Sequence, residues 1–583
     1  MNQPPEIDPI TFEVVKNALG AIADEMALVV MRSAYSAVVR DSMDYSTAIA
    51  DAAGEIVAQG LTLAVQLGSF PDCLAMLVER HGATTEPGDV FLFNDPYGSA
   101  GQHLPDLYVV KPLFDDGRLA GWACTMAHHC DVGGIAPGST AMHATDILQE
   151  GLCIPLLKLY EAGKPNHTLF EIIRKNSRQP RYVLGDLRAQ LAACAAGERG
   201  YLELVRRIGM APLGRYFAAM QDQAERMMRG IIGAIPDGIY RFTDYIDGIG
   251  DRPQPIAIAA TVTVAGEEIA LDFAGSSPQV PAAINCPIAM VRSAAYCAIR
   301  CLSEVEIPNC QGYMRPVRIT APEGTIVNPR FPAACAARGV IGYRVFDAIM
   351  GALAQAVPER VIAGGEGGPT LFSIGGGEGE GAFVLTEVMV GTWGARATLD
   401  GIEGISNPAA NLSNQPIELI EAEMPLEVVR YGLVPDSGGP GRQRGGLAFV
   451  REFRLLGEQA AFTLRSDRRA HPPYGIAGGR PGGSSANYLL RADGAEIAMP
   501  TMPMSAVPLG RGDSLRHLSA GGGGYGDPYE RDPAAVLADV LEEKVSAAAA
   551  ARDYGVAIDP ALGAVDARET ERLRRARAAA AAQ

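Results

Sequence analysis

Four of the chain's eight histidines, His103, His128, His129 and His143, fall within one window of 41 residues in a chain of 583. Carboxylates crowd the same window: "FNDPYGSAGQHLPD", "MAHHCDVGG" and "HATDILQEG" supply Asp95, Asp106, Asp131, Asp146 and Glu150. Imidazole and carboxylate together suit Mn2+, Zn2+ or Fe2+, and the lack of paired thiols nearby argues against a closed structural zinc site. In "QHLPD", Pro105 restricts the backbone, so His103 and Asp106 are expected to face one centre across a turn, with His128 following a strand. Two imidazoles and one carboxylate leave coordination positions open, as a metal needs if it is to polarise a carbonyl or acidify a bound water. Asp131, beside the Gly133-Gly134 turn, is placed to orient a ligating imidazole. His129 and His143 stay open, as further ligands or as ordinary imidazoles.

Other chemical signatures are missing. No GxxxxGK[ST] occurs, so the backbone nest and lysine that cradle nucleotide phosphates are absent from the sequence. A formal GxGxxG at Gly521, Gly523 and Gly526 runs into "DPYERDP" instead of opening a helix, which removes the anion-binding N-terminus. Neither GxSxG nor HExxH is present.

The elements that must position the histidine window follow from periodicity. Phe12, Val15, Leu19, Ile22, Met26 and Val29 recur at three or four and predict an amphipathic helix whose apolar face needs a sheet. "STAIAD", "EIVAQG", "VFLFND", "LYVVKPLF" and "LAGWACTMAH" read as short strands, and two long helical patterns follow to Gly238. Residues 239–330 mix hairpin strands with the helix "MVRSAAYCAIRCL". Residues 331–527 read as short strands between Gly/Pro-rich functional or interface loops, and 528–583 as a helical tail whose last Arg/Ala run frays. The expected fold is therefore α+β (mixed α/β) in several regions. Residues 1–238 form an N-terminal α/β region with the metal site, and the C-terminal half is β-rich.

Composition narrows the function classes. With 48% hydrophobic and 20% charged residues the chain is globular, and a net charge of −17 opposes nucleic-acid binding. The N-terminal sequence carries no export signal and no apolar run reaches the roughly 20 residues of a membrane span, so a cytoplasmic protein off the membrane is expected. Ten cysteines without paired spacing read as reduced, mostly buried thiols, with Cys297 and Cys301 sharing one helical face.

The segments "NDPYGSAGQHLPD", "AHHCDVGGIAPGS", "LQEGLCIPLLKL" and "NPAANLSNQPIELIEAEMPLEVVRYGLVPDSGGPGRQRGG" resemble the hydantoinase B/oxoprolinase family, and the resemblance spans about residues 8 to 557. It departs at "SAGQH", where relatives commonly show Gly-Gly-Thr-His. The resemblance implies a hetero-oligomer with a hydantoinase A-type partner that binds ATP and Mg2+, which fits the missing phosphate loop. It also implies a divalent metal, manganese in the acetone carboxylase relative, held by residues that correspond to His103, Asp106 and His128. The implied activity is ATP-dependent opening of a lactam, hydantoin or 5-oxoproline-like ring, with Asp131 or Asp146 as general base through water. The alternatives are a ketone carboxylase subunit and a scaffold subunit with a structural metal.

Overall fold

The computed structural model describes residues 7–366, 370–377, 381–559 and 562–581. Its first helix, Pro9–Ser33, starts where the Asp8 carboxylate accepts the Thr11 N–H at 2.8 Å and Pro9 supplies a preset φ. The buried stripe Val15, Leu19, Ile22, Met26 and Val30 faces the helix Pro180–Ile208 and a seven-stranded sheet. The contact is close because Gly197 and Gly200 present no side chain to Met26 and Ile22.

That sheet consists of β1 (Tyr45–Asp51), β2 (Ile56–Gln59), β3 (Val90–Phe93), β4 (Asp106–Asp115), β5 (Arg118–His128), β6 (Leu157–Glu161) and β7 (Lys164–Pro165), in the order β2-β1-β5-β4-β3-β6-β7. All its pairs are antiparallel. Period-2 alternation sorts the strands into two faces. Leu107, Val109, Ala123 and Ala127 pack toward the two long helices, while Tyr108, Val110, Cys124 and Met126 pack toward the helix Phe70–His81.

A second sheet, strands Gly238–Ile246, Ile256–Ala265, Glu268–Asp272 and Val317–Thr320, shares a core with the helices Ile288–Arg300 and Gly339–Leu353. The latter corrects the sequence reading of short strands there. All fifteen of its residues are buried, so it has no polar face, and periodicity is silent on such a helix. Buried charges tie it down: Arg344 pairs with Asp467 and Asp244, and Arg468 with Asp347 at 2.5 Å and Asp244 at 3.1 Å.

Two further sheets face each other across Phe372, Phe453, Phe462 and Leu515. One contains the strands Thr370–Gly376 and Gln459–Arg465, the other Phe449–Leu455 and Ser514–Leu518. The Gly/Pro-rich loops between these strands interlock. Gly521, Gly522, Gly523 and Gly524 donate N–H groups to the carbonyls of Gly483, Gly446, Gly364 and Arg480 at 2.8–2.9 Å, and a Cβ on any of them would overlap a neighbouring backbone. In the terminal helix Ala567–Ala581, whose final Arg/Ala run was expected to fray, Arg574 donates to the Arg531 carbonyl at 2.6 Å and Arg577 pairs with Asp527 at 2.8 Å; Ala582 and Gln583, at the end of that run, lie outside the described residues. All ten thiols are free. Among the described residues no helix is long and apolar enough to cross a membrane.

Candidate metal centre and adjoining cavity

The β4–β5 hairpin does the first positioning. Asp106 opens β4, His128 closes β5, and the two are direct cross-strand partners whose side chains share a sheet face. The turn "HLPD" returns His103 over the same end, where its ring lies 5.0 Å from that of His128. Ligand atoms of His103, Asp106 and His128 all lie within 4.8 Å of one another, and all three residues are buried.

The lone pairs in this cluster lack partners. His103 Nδ1 lies 2.9 Å from the Ala336 carbonyl oxygen, a contact that requires a proton on Nδ1 and leaves Nε2 bare. Nε2 faces Asp106 Oδ1 at 3.2 Å, and neither atom has a hydrogen-bond partner; the same holds for both ring nitrogens of His128. Burial, then the Arg338 charge, draws the His103 pKa down to about 4, and burial followed by His103 puts His128 well below its usual range. Both rings are therefore neutral at pH 7. Asp106 is ionised: burial raises its pKa, but Arg338, paired with its Oδ2, and His103 outweigh burial and hold it well below the carboxylate range. Two bare lone pairs 3.2 Å apart, one of them anionic, repel each other unless a cation lies between them. The spacing is what two donors have when each lies about 2.0–2.2 Å from one divalent ion. The donor set fits a metal, with the Ala336 carbonyl fixing the His103 tautomer and Arg338 orienting the carboxylate.

Beyond His128 opens a small cavity of about 30 Å3, with Asp44, Tyr343, Arg338 and Arg465 among apolar walls. Asp44 precedes β1, and its carbonyl accepts the His128 N–H at 2.9 Å, so Asp44, His128 and Asp106 form one row across three strands. Gln66 Nε2 donates to its Oδ1 at 2.6 Å. Burial and then the Asp106 charge push the Asp44 pKa up to about 7. Glu150 is pushed by burial up to about 8 and accepts the Ala336 N–H at 2.7 Å, bracing the residue that holds His103.

The structure does not bring the other expected residues to this centre. Asp131 accepts the N–H groups of Gly133, Gly138 and Arg178 at 2.9–3.1 Å and pairs with the Arg178 guanidinium at 3.0 Å, organising its own loop. Asp146 accepts from Gln149 at 2.9 Å. His129 Nε2 contacts Gln190 at 3.0 Å on the opposite sheet face, and His143 is half-buried. Sequence reasoning missed Asp44, Gln66, Arg338, Tyr343 and Arg465. An acidic residue one position before a β-rich run marks Asp44 as a strand-end carboxylate, whereas no local signal marks the others.

The whole chain is similar to proteins of known family and structure. The family model described as hydantoinase B/oxoprolinase matches residues 8–528. Caprolactamase subunit beta of Pseudomonas jessenii is 32% identical over 576 residues, covering 95% of this chain and 97% of the relative. The crystal structure of ATP-dependent caprolactamase from the same species superposes with a TM-score of 0.89 at 30% identity, over 98% of this chain and 100% of that chain. The nucleotide-free structure of acetone carboxylase gives 0.92 at 20% identity, over 99% and 84% of the chains, a likeness of fold.

Proposed function

Because the chain belongs to the hydantoinase B/oxoprolinase family, we propose that it is the ring-opening subunit of an ATP-dependent cyclic amide hydrolase. The observation that carries this reading is the set of partnerless buried lone pairs on His103, Asp106 and His128 beside a cavity. The substrate class comes from the caprolactamase relative, and the ATP-binding step is assigned to a hydantoinase A-type partner. The relative's own name marks it as one subunit of an assembly.

A lactam carbonyl is a poor electrophile because resonance ties up its nitrogen lone pair. Activation at the carbonyl oxygen by the partner's ATP weakens that resonance before the ring reaches the cavity. His103, Asp106 and His128 would hold a divalent ion, which would supply Lewis acidity at the carbonyl. Arg338 keeps Asp106 ionised, and the Ala336 carbonyl keeps the lone pair of His103 Nε2 directed at the centre. Opening the O-phosphorylated ring adds hydroxyl to the carbonyl carbon and breaks the C–N bond, leaving an amine with the added proton and an acyl phosphate, which a second water hydrolyses to carboxylate and orthophosphate. Asp44, whose carboxyl lines the cavity and titrates near 7, takes the proton from water and delivers it to the leaving nitrogen. Asp131 and Asp146 do not line the cavity, so the base role passes to Asp44 in this proposal.

The test is to reconstitute the chain with its partner and assay lactams, hydantoins and ketones with ATP, with and without bicarbonate. Metal content by mass spectrometry is followed in parallel. Ring opening without bicarbonate, lost with the metal in His103→Ala, is expected. Turnover of ketones only, and only with bicarbonate, would move the chain to the carboxylases.

A further inference from the structure

The helix Gly339–Leu353 begins at the cavity wall, where Arg338, Gly339 and Tyr343 all face the open space. No side chain caps that N-terminus. The carbonyls of Ala337 and Arg338 accept the N–H groups of Val340, Ile341 and Gly342 at 2.9–3.2 Å, so what this start offers an anion is the Gly339 N–H and the positive end of the helix dipole.

A second feature points to the same place. Arg465 ends the strand Gln459–Arg465, is only 6% exposed, and lines the cavity. Its Nη2 stands 3.6 Å from the position a Cβ on Gly339 would take, directly over the helix start. Its one hydrogen bond runs from Nη1 to the Ala336 carbonyl at 3.2 Å, while Nε has no partner. Among the described residues the six other arginines buried to this degree each face a carboxylate. Arg338 faces Asp106, Arg344 and Arg468 share Asp244, Arg444 faces Glu403, Arg451 faces Glu387, and Arg531 faces Asp400. Arg465 makes no such pair. A guanidinium out of water without a paired carboxylate is costly; Asp44 and Asp106 act on Arg465 without forming an ion pair with it, so an anion entering the cavity would supply the missing partner. Burial and the neighbouring Arg338 draw its pKa down to about 9, which still leaves it protonated at neutral pH.

We infer that Arg465, standing over Gly339 at the start of the Gly339–Leu353 helix, forms a binding site for an oxyanion borne by the substrate. Two sources share that chemistry: the phosphoryl group placed on the ring oxygen during activation, and a carboxylate carried by the ring. The identification of the bearer rests on the ring-opening reading; the anion site itself does not. The cavity is small, so the anion would lie beside His128 and fix which atom of the substrate faces the centre. Arg465 is a positioning residue for that atom, and the planar fork of its guanidinium matches an oxyanion in a way an ammonium does not.

The test is calorimetric titration of the full chain, with its partner, using orthophosphate and acetate as separate probes. The variants are Arg465→Met and Arg465→Lys, with melting temperature and metal content measured on each. Orthophosphate binding that weakens about tenfold or more in Arg465→Met, with Arg465→Lys between the two, supports the phosphoryl source. Arg465-dependent binding of acetate alone supports the carboxylate source. No binding of either probe overturns the inference, as does affinity within about twofold of the original in a folded Arg465→Met protein. If Arg465→Met does not fold, Arg465→Lys is judged on the same twofold criterion. Repeating the titration after chelation separates the two proposals. Arg465-dependent binding that persists without metal upholds the anion site even where ring opening fails, and ring opening in a protein that binds neither anion upholds only the function.

Discussion

Asp106 has two jobs, and replacing it should expose both. Asp106→Asn removes the proposed anionic ligand and also strands Arg338, whose side chain is 7% exposed and paired with a fully buried carboxylate. Removing one partner of a buried ion pair costs about 3–5 kcal/mol because the survivor is left charged without water. The single variant should therefore lose metal and unfold at markedly lower guanidinium chloride. Arg338→Met should be destabilised similarly, since it leaves Asp106 ionised and buried. The double variant Asp106→Asn/Arg338→Met buries no orphan charge, so it should recover at least about 1–3 kcal/mol relative to additivity, a coupling typical of contacting pairs. Its metal affinity should stay low, down about tenfold or more, as loss of even an outer-sphere partner can cause. The assay is a four-protein denaturation cycle followed by circular dichroism, with metal measured by mass spectrometry. Additive destabilisation would refute the ion-pair argument, and full metal occupancy in Asp106→Asn would refute the ligand assignment.

Three further outcomes are expected. With Asp44 as base at a pKa pushed to about 7, turnover should rise with pH through that value, and Asp44→Asn should lose that rise along with about 10²–10⁴-fold in rate; a pH–rate profile of the variant is the check. His517 is buried against Asn487 and its pKa is drawn down by burial, then by Arg469, to about 3. Since the unfolded chain binds that proton near pH 6.5, folding stability falls as pH drops from 6.5 toward 3, by up to about 1.4 kcal/mol per unit. His517→Gln should flatten this slope in unfolding titrations across that window. Gly523→Ala should fail to give folded protein, because the added methyl overlaps the Tyr474 carbonyl oxygen, while Gly117→Ala, at φ +75° with open space around it, should cost only about 1–2 kcal/mol; soluble yield and thermal melts distinguish them.

What the sequence disclosed follows from the range of the interactions involved. His103 and Asp106 are joined by a turn, and Asp106 and His128 by a single hairpin, so spacing and strand pattern drew them together, while the choice of His128 over His129 and His143 came from the family resemblance. The long helices after β7 were legible because each keeps one apolar stripe. Asp44 reaches the centre through the pairing of β1 with β5, whose partners are separated by β2, β3 and β4 in the chain, and no local pattern announces it. Arg338, Tyr343 and Arg465 come from elements more than two hundred residues away. The helix that bears Tyr343 and follows Arg338 is buried on every side, so the signal that revealed the first helix is absent there. Asp131 looked catalytic because it adjoins the histidines, yet its neighbours claim its carboxylate for a turn.

The glycine run 521–524 has a consequence for how the protein is made. Its backbone supplies the hydrogen bonds that the loops at Gly364, Gly446, Arg480 and Gly483 lack until it arrives. During synthesis those earlier loops leave the ribosome with an empty slot between them, and the slot fills only when the chain has grown past residue 526. Assembly of the second half is then a late, long-range event, slow in the manner of folds rich in distant pairings. The arm bearing Arg465 is held within that half, so the cavity would gain its final wall only near the end of translation, and a nascent chain cut short before residue 521 would carry its histidines and Asp106 in an unfinished pocket.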